Sequence, residues 1–87
     1  MKPEIRKPTE DEKRLAGSWP IWTKETSQFP WEYDEKETCL ILEGKVTVTN
    51  EEGEKFDFGA GDWVVFPVGM KCTWKIGKDV RKHYHFG

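Results

Sequence analysis

Glu37, Cys72, His83 and His85 are the residues of this chain best suited to move a proton, attack a carbon or hold a metal ion. A carboxylate on the inward face of a strand costs several kcal/mol to bury unless it is neutralised, paired or put to use. That standing suits a general acid or base. The alternative for Glu37 is a structural role, held by Tyr33, a Lys or an Arg. Cys72 is open to three roles: a thiolate nucleophile, which needs a histidine or a cation beside it, a metal ligand, or a small packing residue. His83 and His85 stand at i and i+2 on one strand and share a face. Turned inward, they would join Glu37 and Cys72 as four donors for a divalent cation. The alternation of Val80, Tyr84 and Phe86 claims the apolar side of that strand, however, and leaves the histidines on the other side, next to Arg81.

These residues must be positioned by strands. From Trp19 onward the sequence runs in short β-rich segments: PIWTKE, FPWEY, TCLILE, KVTVTN, EKFDF, DWVVF, CTWKI and VRKHYHF. Between them stand EGK, NEEGE, FGAGD, PVGMK and GKD, rich in residues that tolerate or pre-set turn dihedrals. The pattern is that of an all-β sandwich or barrel, with an up-and-down barrel or a jelly roll as the best fit. Alternation gives the strands faces. Cys72, Trp74 and Ile76 share an apolar, inward face, as do Val46 and Val48. In ETCLILE, Glu37, Cys39, Ile41 and Glu43 oppose Thr38, Leu40 and Leu42, so both sides carry apolar residues and this strand is expected to be covered on both, by the interior and by a partner sheet or subunit.

Residues 1–18 hold the one helical signal, Thr9 followed three positions on by Glu12 as a capping box, with Gly17 as the stop. This segment is expected to pack as a short strut outside a barrel formed by residues 19–87. A chain of 87 residues buries only roughly 60 to 65% of its unfolded surface. Five Trp among twelve aromatic residues supply large buried area, and a homodimer through Leu40 and Leu42 would supply more. Fourteen basic against sixteen acidic residues, net charge −2, exclude a surface built for nucleic acid or anionic membrane. With no signal-like N-terminal run and no long apolar stretch, the expectation is a cytoplasmic protein with Cys39 and Cys72 reduced. One disulfide between them is allowed by arithmetic alone.

Two spacings then carry a family resemblance. Gly61, Pro67 and Gly69 fall on a motif of Gly, five residues, Pro, one residue, Gly, two residues, His, three residues, Asn, with Cys72 at the His and Ile76 at the Asn. Glu37 and Gly44 fall on the Glu, six residues, Gly that ends a second motif. The chain thus resembles the cupin superfamily (RmlC-like), which implies a single-domain β-barrel of the jelly-roll, or double-stranded β-helix, type. The order WPIW, FPWEY, ETCLILEGKV, GAGDWVVFPVGMKCTW and RKHYHF is similar to small single-domain cupins grouped with the ureidoglycine aminohydrolase cupin domain and the ethanolamine-utilisation cupins. That group includes manganese enzymes that release ammonia, though those carry two cupin domains.

Where the family places a His-x-His pair, this chain has Trp31 and Tyr33, or Pro30 and Glu32 with a longer spacer. Of the usual three His and one Glu only Glu37 remains, and Cys72 replaces a histidine, so no resident metal is favoured. The motif alignment sets Trp31, Tyr33 and Trp74 at or near the barrel mouth, as aromatic walls for a small-molecule pocket or as filling for a narrow barrel. Lys71 and Arg81 would pair with a substrate carboxylate. Three readings follow. The first is a barrel that binds a small polar metabolite, with metal-independent acid–base catalysis by Glu37 near Cys72. The second is a divalent-metal, aminohydrolase-like enzyme using Glu37, Cys72 and His83 or His85. The third is a dimeric barrel without catalysis.

Overall fold

The computed structural model describes residues 1–87. Its elements run β1 (Glu4–Arg6), α1 (Glu10–Ala16), β2 (Ile21–Lys24), β3 (Ser27–Glu32), β4 (Glu37–Asn50), β5 (Lys55–Gly59), β6 (Trp63–Phe66) and β7 (Lys71–Phe86). Every pairing is antiparallel. β4 and β7 run side by side through the middle of the sheet. The far edge of β4 takes β6 along Glu37–Leu40 and β5 along Lys45–Thr49. The far edge of β7 takes β3 along Lys71–Ile76 and β2 along Val80–His83. The sheet encloses one cluster of 13 buried apolar residues. The architecture is the single-domain antiparallel β-barrel that the resemblance implied.

Two breaks expected from the sequence do not occur. EGK and GKD were expected to separate strands, but they lie within β4 and β7, so the eight expected strands become six, and β1 makes seven. The reason is a run of register shifts between Ile41 and Val46 of β4, where five steps along β4 oppose six along β7. One extra residue in a ladder reverses which face the following side chains occupy. Glu37, Cys39 and Ile41 are buried upstream of the shift, Val46, Val48 and Asn50 downstream of it. Gly44 sits at the crossing with φ +116, and a Cβ there would stand 2.8 Å from the Asp79 carbonyl oxygen. Only glycine satisfies both the dihedral and the contact.

The helix forms where the capping box places it. The Thr9 hydroxyl accepts from the Glu12 amide at 3.1 Å, and the Glu12 carboxylate accepts from the Thr9 amide at 2.9 Å. Arg6 grips the same carboxylate through both of its terminal nitrogens, which ties α1 to β1. The short strand β1, unforeseen in the sequence, pairs with β6. Ala16 then packs with Leu40 and Trp63, joined by Trp19, Leu42 and Val65. The outer apolar face of β4 is therefore covered by the chain's own N-terminal segment, where a partner sheet or subunit was expected. No helix is long and apolar enough to cross a membrane.

Candidate functional site

Alternation along β7 decides which side chains enter the barrel. Val80 and Lys82 are buried, Tyr84 half-buried, and Phe86 completes the same face. Arg81, His83 and His85 take the opposite face. Across the ladder, upstream of the register shift, β4 sends Glu37 inward from its first residue. The Lys82 ammonium donates to Glu37 Oε2 at 2.7 Å, with both side chains about 5% exposed. It also sits 4.8 Å from the centroid of the Trp22 ring and 4.8 Å from that of Trp74, between two π faces.

This ion pair borders a cavity of about 240 Å³. Trp22, Phe29 and Trp74 form one part of its wall, and Trp31, Tyr33, Tyr84 and Phe86 the rest. Glu37 and Lys82 are the charged residues of the lining. Glu37 Oε1 accepts nothing from the protein, yet no inaccessible side-chain polar atom lacks a partner. Oε1 is therefore open to the cavity. The Lys82 ammonium, by contrast, has Glu37 Oε2 and the two indole rings around it.

The wall is stiffened by an aromatic network. The Trp74 indole N–H donates to the Tyr33 hydroxyl at 3.0 Å, which satisfies a buried donor. Tyr33 stacks on Phe66 with centroids 4.6 Å apart, and Phe58 meets both Phe66 and Trp74 edge-on. The Pro67-x-Gly69 turn positions Tyr33. Gly69, with φ +86, donates its amide to the Tyr33 carbonyl at 2.7 Å, and the Tyr33 amide donates to the Met70 carbonyl at 3.0 Å. Two residues of the turn motif thus place one side of the pocket.

The structure brings Glu37, Trp31, Tyr33 and Trp74 together around this cavity and leaves other candidates outside it. Cys72 is buried on the inward face but does not line the cavity. It borders a shallow depression with Pro30, Trp31, Glu32 and the exposed Lys71. Burial pushes its thiol up to about 11, with no neighbouring charge contributing. The Cys39 thiol is pushed up to about 12, mainly by burial. No charge acts on Cys72 to make a thiolate, and at Cys39 the Lys82 charge is outweighed by burial; both are free. Tyr33 is held well above the usual phenol range by burial and then by the charges of Glu37 and Cys72. With the shorter spacer, Tyr33 falls where the resemblance places a histidine ligand.

The His pair is outside as well. His83 Nδ1 lies 3.0 Å from the Trp19 carbonyl oxygen, and His85 stacks on the Trp19 ring at 5.2 Å. Arg81 pairs with Glu43 at 3.3 Å on the surface. The four-donor constellation of Glu37, Cys72, His83 and His85 is therefore split between faces, and no three His, Cys, Asp or Glu residues gather as a metal site. An ammonium against Glu37 further opposes a cation there. The residues present do not fit a resident manganese or iron centre. Lys82, the partner of Glu37, was missed in the sequence. The signal was available: the Val80, Tyr84 and Phe86 alternation that set the histidines on the other face includes Lys82 by the same period.

The sequence matches the family model described as the EutQ-like cupin domain over residues 12–84. Among solved structures it is similar to a DUF861 family protein from Thermotoga maritima, at 51% identity over 99% of this chain and 100% of that one, TM-score 0.94. A protein described as ethanolamine utilization protein Q from Salmonella typhimurium is 24% identical over 97% of this chain and 68% of its own, TM-score 0.69. An RmlC-like cupin from Shewanella frigidimarina is 12% identical over 76% of this chain and 64% of its own, TM-score 0.57. Likeness to the last two is one of fold. No curated protein matches the sequence.

Proposed function

The chain belongs to the EutQ-like cupin family, and from that premise we propose that it binds a small polar metabolite in the cavity at the barrel mouth. Glu37 and Lys82 are its acid–base pair, and no metal takes part. One observation carries this reading: a carboxylate and an ammonium 2.7 Å apart, both buried, border a cavity otherwise walled by aromatic rings. Such a pair is a poor source of stability, because desolvation offsets most of its Coulomb attraction. Aromatic walls with a few convergent polar groups are what a small-molecule site needs. Glu37 Oε1 is the atom that takes a ligand proton, and the Lys82 ammonium stabilises negative charge that develops beside it. The role first given to Cys72 passes to Lys82.

Glu37→Gln tests the acid–base role. It keeps the shape of the side chain and is expected to abolish turnover while binding of a trapped metabolite persists. A variant that binds and turns over as the wild type does would sink that role. Metal content of protein purified without chelators tests the rest, and about one bound ion per chain would overturn the metal-free reading. For assembly the reading keeps a cytoplasmic homodimer. Leu15 and Ile21 are exposed beside Ala16 of the outer cluster and opposite His83, respectively. Light scattering at the monomer mass of 10.2 kDa at high concentration would rule the dimer out.

A further inference from the structure

We infer that the ligand of this cavity is a flat, uncharged molecule that donates an N–H or O–H hydrogen bond to Glu37 Oε1. This rests on the reading above that the cavity binds a small molecule, and it narrows that ligand by charge, shape and polarity. Charge comes first. Glu37 and Lys82 neutralise each other at 2.7 Å, inside a wall with no other charged residue. An anionic ligand would meet the open carboxylate oxygen beside Lys82, whose charge Glu37 already offsets at 2.7 Å. A cationic ligand at Oε1 would share Glu37 with that ammonium. Either charge would be buried without a partner of its own, at high desolvation cost.

Polarity comes second. Oε1 accepts nothing from the protein and is open to the cavity because no inaccessible polar side-chain atom is left without a partner. Glu37 itself is only 4% exposed. A ligand that covers Oε1 without donating to it would leave a buried charged acceptor unsatisfied, which costs more than a hydrogen bond gains. Shape comes third. The rings of Trp22, Phe29, Tyr33 and Trp74 offer flat faces, and offset stacking or edge contact on them favours a planar partner. A volume of about 240 Å³ equals that of about eight liquid waters, room for a single ring with one polar substituent.

Four probes of nearly one shape separate these requirements: benzamide, N,N-dimethylbenzamide, benzoate and benzamidinium. Binding is read from the indole N–H signals of Trp22 and Trp74 in nitrogen–proton correlation spectra of the full chain, assigned with Trp22→Phe and Trp74→Phe. Benzamide is expected to shift both signals, and each of the other three to bind about tenfold more weakly or worse. Benzoate binding tightest would make Lys82 the recognition group and overturn the inference. Benzamidinium binding tightest would make Glu37 a cation site and overturn it equally. Equal affinity for benzamide and its dimethyl analogue would remove the need for a donor. Each of those outcomes leaves the cavity a binding site, whereas silence from all four probes rejects that reading and the inference together.

Discussion

Adjacent residues on β7 meet opposite conditions on its two faces. Arg81 points out and pairs with Glu43 at 3.3 Å, where the side chains are 45% and 65% exposed. Lys82 points in and pairs with Glu37 at 2.7 Å, where they are 6% and 5% exposed. Both are basic residues facing glutamates on β4. Water screens the outer pair and leaves each partner solvated when the other is lost. The inner pair has no such refuge. The same chemistry is thus nearly dispensable on one face and obligatory on the other, and the inner pair is kept beside a cavity.

The strongest way to break this comparison is Lys82→Met. It strands the Glu37 carboxylate in the barrel and is expected to cost about 3–5 kcal/mol in urea unfolding. Combining it with Glu37→Leu should return stability to within about 1 kcal/mol of the wild type, since an apolar pair of similar size avoids desolvation. A single variant as stable as the wild type would mean that the inner pair resembles the outer one. Gly44→Ala attacks the crossing that lets both ends of β4 face one interior. A positive φ and a Cβ at 2.8 Å from backbone predict a loss of about 1–3 kcal/mol, checked by the same unfolding curves.

The inner face also makes the fold sensitive to alkali. Burial raises the folded Cys39 thiol from 9.0 to about 12. Its contribution to stability is therefore complete below about pH 9 and lost as pH rises toward 12. Between those limits the unfolded chain releases a proton that the folded one retains. Cys39 contributes at most about 1.4 kcal/mol per pH unit, and Cys39→Ala should reduce the slope of unfolding midpoints measured from pH 8 to 11, leaving the share of Cys72, whose thiol is also raised. The smallest effect is assigned to the outer face: Arg81→Ala is expected to cost about 0.2–1 kcal/mol, diminishing with salt. A loss above about 2 kcal/mol would show that exposure does not separate the two pairs.

Much of the fold was legible because its signals are local. Thr9 and Glu12 marked the helix start, and Gly61, Pro67 and Gly69 marked the turn that leads into β7. The period of two separated Cys72, Trp74 and Ile76 from Thr73 and Lys75. It also set His83 and His85 opposite Val80, Tyr84 and Phe86, and left to the structure which of those faces is interior. Legibility failed at EGK and GKD, where residues read as turns lie inside bulged strands. It failed again on the outer side of β4, whose cover comes from Ala16 and Trp19. Neither a bulge's register nor the landing place of a distant helix is written in a short window of residues.

The sequence by itself determined that Glu37 stands on an inward face, that the usual histidines are absent, and that aromatic residues are placed to wall a pocket. Periodicity and turn chemistry act over a few residues, and the resemblance carried by the two motif spacings supplies the rest. Only the tertiary structure decided what Glu37 touches. Its partner lies 45 positions away and meets it because β4 and β7 pair in regular register from Glu37–Phe86 to Ile41–Lys82. Tertiary structure also moved Cys72 from the centre of the site to its margin. A strand's faces are a local property, whereas a site is a meeting of faces from strands distant in sequence.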